Sequence, residues 1–213
     1  GTICRYDPSM HDSILGITEI EKALALAIDS NELHLFYQPK IDLKTGKIMG
    51  VEALIRWIKP DGTIMAPDSF VPIAEKSRLI GKISEFVLNE GCRQNALWQK
   101  LGYPKIVMTI NFTSTDFYQN DLKDRVLDAL VRTDLDPKWL EVELTETIAL
   151  SDIDFAVGQM NKLRDLGVKL AMDDFGTGYS SLSYLQILPI TLLKLDRSFI
   201  TDIQNDNIAY EIV

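Results

Sequence analysis

Four residues with metal-competent side-chain oxygens stand at the ends of separate apolar runs: Glu52 in GVEALIRW, Asn111 closing IVMTIN, Glu143 in WLEVEL and Asp173 in VKLAMD. Glu146 and Asp174 lie just beyond two of them. Oxygen ligands converging from separate strands suit Mg²⁺ or Mn²⁺, hard ions that keep several waters for substrate and nucleophile. One polar residue at a strand end usually does no more than cap or solvate a loop. Six within apolar strands are a different matter, because burying that much negative charge without cations is prohibitive. His11 and His34, the two histidines, are far from this set in sequence, which argues against a His-rich zinc site.

Three further features could serve an anionic substrate. Lys194 sits in the apolar run TLLKLD and alternates to the face opposite Leu193 and Leu195. It either snorkels to solvent or points into the acidic set, where it would orient a water or offset phosphate charge. The segment DDFGTGYSSL places Gly176 and Gly178 one residue apart, either a plain turn or a loop whose backbone can approach a ligand closely. Arg56 offers a bidentate fork for phosphate, and Gln38 in FYQPK can pair with a base edge.

The elements that must hold these residues alternate. LHLFYQPKID and KIMGVEALIRW flank LKTG, which predicts two antiparallel strands joined by a short turn. Helical periodicity follows in PDSFVPIAEK and from Ile80 to Trp98. Then come the strand KIVMTIN, a helix around Leu122 to Val131, the strand WLEVEL, and a helix with Ser151 as N-cap and Gly167 as C-terminal glycine. The strand VKLAMD, a short helix around Leu182, the strand TLLKLD and a helix from Ser198 complete the chain. Strands alternating with helices imply parallel βα units, most economically an α/β fold of the TIM-barrel kind. Thr18 and Glu21 have capping-box spacing and open a helix through Ile28. Residues 1–16 read as a linker or the tail of an upstream domain, and 17–213 as one domain.

Bulk composition narrows the function. A chain of 213 residues, 46% hydrophobic and 25% charged, buries a sizeable core. A net charge of -9 argues against a nonspecific surface for nucleic-acid polymers or anionic membranes. Cys4 and Cys92 are too few for a disulfide framework and read as free thiols in a reducing compartment. No apolar stretch is long enough to span a bilayer, so the chain reads as cytoplasmic, with any tether to the inner membrane lying upstream.

With these residues in place, the chain resembles the EAL family of cyclic di-GMP phosphodiesterases. The resemblance runs from about Leu33 to the C-terminus through FYQPKIDLKTG, Glu52-Ala53-Leu54 followed by Ile55-Arg56-Trp57, Asn111, Glu143-Leu144-Thr145-Glu146, DDFGTGYSSLSYL and LKLDRSFI. It implies a modified TIM barrel whose first strand is antiparallel. Glu52, Asn111, Glu143 and Asp173 then resemble the direct metal ligands, and Asp174 a ligand of a second metal that helps activate water. Lys194 resembles the lysine that positions the catalytic water, and Glu146 the residue that holds the DFGTG loop. Gln38, Arg56 and the backbone around Leu54 resemble substrate-binding positions. The implied reaction is two-metal hydrolysis of cyclic di-GMP to linear pGpG in bacterial signalling.

Two departures accompany the match. Thr113 stands where many relatives carry serine, and it keeps the hydroxyl. The family also continues past the point where this sequence stops, with a further catalytic glutamate, a last strand and a helix. The barrel is therefore expected to be incomplete at its C-terminus. As given, the chain is expected not to be a competent hydrolase, its open edge covered by residues after Val213 or by a second copy in a homodimer. ICRYDPSM resembles the closing strand of a GGDEF domain, which implies a GGDEF–EAL tandem. The alternatives to a phosphodiesterase are a non-catalytic cyclic di-GMP receptor on the same fold and, if the resemblance is set aside, a metal-dependent lyase of the enolase kind.

Overall fold

The computed structural model describes residues 8–176 and 185–201. Cys4, Gly178, the helix expected around Leu182 and the continuation of the last helix lie outside them. Contacts divide the chain into two units, one joining Gly1–Phe36 with Leu54–Val87, the other Tyr37–Ala53 with Leu88–Val213.

In the first unit, α1 (Pro8–Asp29) is a single helix. The capping box expected at Thr18 therefore falls inside a helix that has already begun. Helix α2 (Pro67–Lys76) starts on the extended Ala66 with proline in its first turn, a position where a missing N–H costs nothing. Trp57 is fully buried, donates its indole N–H to Glu32 Oε2 at 2.9 Å and meets the Phe70 ring edge-on at 5.9 Å.

One sheet runs through the chain. Strands β1 (Leu33–Ile41) and β2 (Ile48–Ile58) are the antiparallel first pair. Their turn is closed by Asp42 N–H to Lys47 O at 2.9 Å and by Asp42 Oδ1 accepting from Lys44 N and Thr45 N. A two-residue strand β3 (Ile64–Met65) pairs back on β2. The order then continues β2-β4-β5-β6-β7, all parallel, through β4 (Val107–Asn111), β5 (Leu140–Thr145), β6 (Lys169–Phe175) and β7 (Leu192–Leu195). This is the α/β architecture, mostly parallel with an antiparallel first pair, that the sequence predicts.

In the second unit, helices connect the parallel strands as expected. They are α3 (Ile80–Lys100, whose first residues belong to the first unit), α4 (Ser114–Phe117), α5 (Leu122–Thr133), α6 (Glu146–Ser151) and α7 (Ile153–Asp165), with α8 (Arg197–Thr201) after β7. The N-cap of α7 is Asp152, whose carboxylate accepts from Phe155 N at 3.2 Å, and Ser151 closes the preceding α6 instead. A carboxylate suits that place better, because it also faces the positive end of the helix. Gly167, at φ 93°, ends the helix as expected. The core is the buried run of β4 to β6, with Met108, Ile110, Leu140, Val142, Leu144, Leu170, Ala171 and Met172 all essentially inaccessible.

Candidate functional site

Parallel pairing fixes the site before any side chain is considered. Asn111 on β4 lies beside Glu143 on β5, and Thr145 on β5 beside Asp173 on β6. Side chains two apart on a strand share a face. Glu141 with Glu143, and Thr109 with Asn111, therefore form two successive rungs on one side of the sheet.

The upper rung gathers the acidic set. Asn111 Nδ2 donates to Glu52 Oε1 at 2.8 Å. Lys194 Nζ donates to Asp173 Oδ2 at 2.9 Å, to Glu52 Oε2 at 3.3 Å and to Glu143 Oε1. One ammonium is thus shared by three carboxylates from three strands. Lys194 points inward rather than snorkelling. Glu143 is fully buried, and its Oε2 has no hydrogen-bond partner.

The electrostatics follow from this crowding. Burial pushes the Glu143 carboxyl up to about 8, helped by its hydrogen bond with Asp173 and by the Glu52 charge, and opposed by Lys194. Burial acts upward on Asp173 too, but its hydrogen bonds with Glu143, Lys194 and the Asp174 amide outweigh that and hold it below the usual range. Burial alone would lower the Lys194 ammonium, yet its hydrogen bonds to Asp173 and Glu143 and the neighbouring charges raise it. Lys194 stays charged.

Strand β6 carries an irregularity that sequence reasoning did not foresee. Met172 pairs with Leu193 and Phe175 with Leu195, so Asp173 and Asp174 together oppose Lys194 alone. This is a β-bulge, a device common beside active sites because it re-aims side chains. Asp174 takes the left-handed conformation at φ 55°, which aspartate tolerates better than most residues. It is exposed, and burial with the Asp173 and Asp196 charges raises its carboxyl. The bulge leads into Gly176, at φ 97°, whose N–H donates to Glu146 Oε2 at 3.0 Å.

Gln38 is exposed on β1. Leu54 and Arg56 share the face of β2 that carries Glu52, alternating with buried Ala53, Ile55 and Trp57. They belong to the first unit, where the Arg56 guanidinium donates to Ile55 O at 2.8 Å and lies 5.7 Å from the Phe36 ring centre. Three residues passed over in the sequence form the lower rung. Lys40 Nζ and Thr109 Oγ1 both donate to Glu141 Oε1, at 2.9 and 2.8 Å. Two glutamates spaced by one residue in the apolar strand LEVEL were the available signal.

Among the described residues, no three His, Cys, Asp or Glu side chains stand free to hold a metal as arranged. The three carboxylates of the upper rung are engaged with the Lys194 ammonium. No helix among those residues is long and apolar enough to cross a membrane.

The EAL domain family matches residues 21–213. The bifunctional diguanylate cyclase/cyclic di-GMP phosphodiesterase MucR of Pseudomonas aeruginosa is 39% identical over 204 residues, which are 96% of this chain and 30% of MucR. The cyclic di-GMP phosphodiesterase PA2567 of the same species is 38% identical over 200 residues, 93% of this chain and 34% of that protein. The chain spans about a third of the length of these curated relatives. The solved structure of PaMucR phosphodiesterase in its c-di-GMP complex superposes with a TM-score of 0.87 at 40% identity, covering 91% of this chain and 78% of that one. The family match covers most of the chain, and the modified TIM barrel of the structural relatives agrees with the fold. The chain belongs to the EAL domain family.

Proposed function

We propose that the native protein carrying this chain hydrolyses cyclic di-GMP to linear pGpG with the help of divalent metal, Mg²⁺ or Mn²⁺. The observation that carries the reading is the convergence of Glu52, Glu143 and Asp173, with Asn111, from four strands around one cationic group. Hard oxygen donors in that number fit a hard divalent ion, and Glu143 Oε2 accepts no hydrogen bond, with only the Lys40 ammonium 3.5 Å away. Glu52, Asn111, Glu143 and Asp173 would hold such an ion, with Asp174 serving a second. Bound metal supplies charge stabilisation at phosphoryl oxygens and a water of lowered pKa.

The chain's own groups do the rest. Lys194 remains an ammonium and donates hydrogen bonds, so it can orient the attacking water and offset charge on the phosphoryl oxygens. Glu146 holds the backbone at Gly176 in place beside Asp173 and Asp174. Arg56, Gln38 and the Leu54 backbone would contact the substrate, as the resemblance to the family implies. MucR's bifunctional name also supports a GGDEF-like domain upstream in the whole protein.

The test is pGpG release from cyclic di-GMP by the native protein that carries this chain, with Mn²⁺ or Mg²⁺. Glu52→Ala should abolish release while the fold persists by circular dichroism. Full turnover by folded Glu52→Ala at saturating Mg²⁺ would remove the assignment. Tight binding of cyclic di-GMP by the wild type without any pGpG would replace the enzyme with a receptor.

A further inference from the structure

The lower rung has a geometry that packing alone does not require. Lys40 Nζ is 2.9 Å from Glu141 Oε1 and also 3.5 Å from Glu143 Oε2, the oxygen that has no hydrogen bond. Glu143 is therefore flanked by two ammonium groups, Lys194 on Oε1 and Lys40 on Oε2. Glu141 is 6% exposed, and Thr109, fully buried, gives it a second donor. Buried ion pairs are seldom the most stable choice for a core, since well-packed apolar residues of similar volume usually do as well or better. A hydrogen-bonded Lys-Glu-Thr group directly beneath a carboxylate that would bind metal has the form of the supporting shell that orients metal ligands.

We propose that Lys40, Glu141 and Thr109 are positioning residues for Glu143, fixing its carboxylate so that the site binds divalent cation in a preorganised geometry. The inference rests on the metal-dependent reading above and adds these three residues to it. Glu141 and Thr109 anchor the Lys40 ammonium, and Lys40 holds Oε2 from below. None of the three touches the reacting atoms. Each acts through Glu143.

The experiment measures Mn²⁺ affinity of the native protein by electron paramagnetic resonance without substrate, then kcat and KM for cyclic di-GMP. Lys40→Met should weaken Mn²⁺ binding about 10- to 100-fold, the usual cost of losing a supporting partner of a metal ligand. It should lower kcat at limiting Mn²⁺ with KM for cyclic di-GMP unchanged, and Lys40→Arg should recover most of the loss. Thr109→Val removes one hydrogen bond to Glu141 at nearly constant volume and should show the same pattern more weakly. It gives the reading if Lys40→Met does not fold. Lys40→Met or Thr109→Val with lowered thermal stability but wild-type Mn²⁺ affinity would overturn the proposal, leaving a purely structural ion pair. A wild type that binds no Mn²⁺ at all would overturn the metal reading itself, a distinguishable failure.

Discussion

The Gly176 amide donates a 3.0 Å hydrogen bond to Glu146 Oε2, joining the first turn of α6 to the loop that leaves the bulged strand β6. Glu146 is 3% exposed, so this carboxylate looks inward to the loop rather than outward to a ligand. Glu146→Ala should therefore impair turnover by about 10- to 100-fold, an estimate drawn from the cost of misplacing catalytic groups by an ångström. Mn²⁺ affinity should change little. Amide exchange at Gly176 should accelerate in the variant, and unaltered exchange would show that the loop does not depend on this contact.

Lys194→Met removes the ammonium from between Glu52, Glu143 and Asp173. Without metal, Glu52 and Asp173 lose their shared cation, while Glu143, whose carboxyl burial already raises to about 8, takes a proton rather than a buried charge. The urea midpoint of the metal-free protein should fall. Turnover should drop by about 10²- to 10⁴-fold, the range for losing a positioned proton-handling group, with a much smaller change in cyclic di-GMP affinity. An effect confined to affinity would move Lys194 to the substrate side of the site.

Gly176→Ala carries two penalties. The backbone is at φ 97°, where an L side chain costs about 1 kcal/mol or more, and the new methyl would lie 2.5 Å from the Phe199 ring. Activity and global stability should both fall. Adding Phe199→Ala should restore only part of the activity, because the second change relieves the clash but not the backbone strain. Complete rescue by the double variant would mean that the conformation at Gly176 is dispensable.

Cys92 is fully buried on α3, and burial pushes its thiol up to about 12. In a Cys4→Ser background, iodoacetamide at pH 8 should leave the native protein unlabelled and label it promptly in urea. The unfolded thiol ionises above about pH 8.5 while the folded one cannot, so stability is lost as pH rises past that point. Tyr37, pushed up to about 12 by burial and the Glu90 charge, acts in the same direction at higher pH. A urea midpoint that rises between about pH 8.5 and 10 would contradict the buried, protonated state of Cys92.

Strand positions were legible because period-two burial and apolar runs leave a plain trace. Asn111 closes β4 as expected, but Glu52, expected at a strand end, sits in the middle of β2, which runs on through Ile58. The α7 cap was misread because Ser151 and Asp152 are both good caps, and only the conformation of Asp152, closing on Phe155, decides between them. The start of α1 was misread because a capping-box spacing within a helix is indistinguishable from one at its end. The bulge at Asp173–Asp174 was hidden for another reason. It depends on the partner strand β7, which sequence order does not reveal. Lys40 is the same case, since its partners are about a hundred residues away.

The two rungs can also be read as a charge count. Glu52, Glu141, Glu143 and Asp173 lie with Lys40 and Lys194, four carboxyl groups beside two ammonium groups. Acidic groups outnumber basic ones there, so the site draws cations, and an anion reaches it favourably only once a cation is bound.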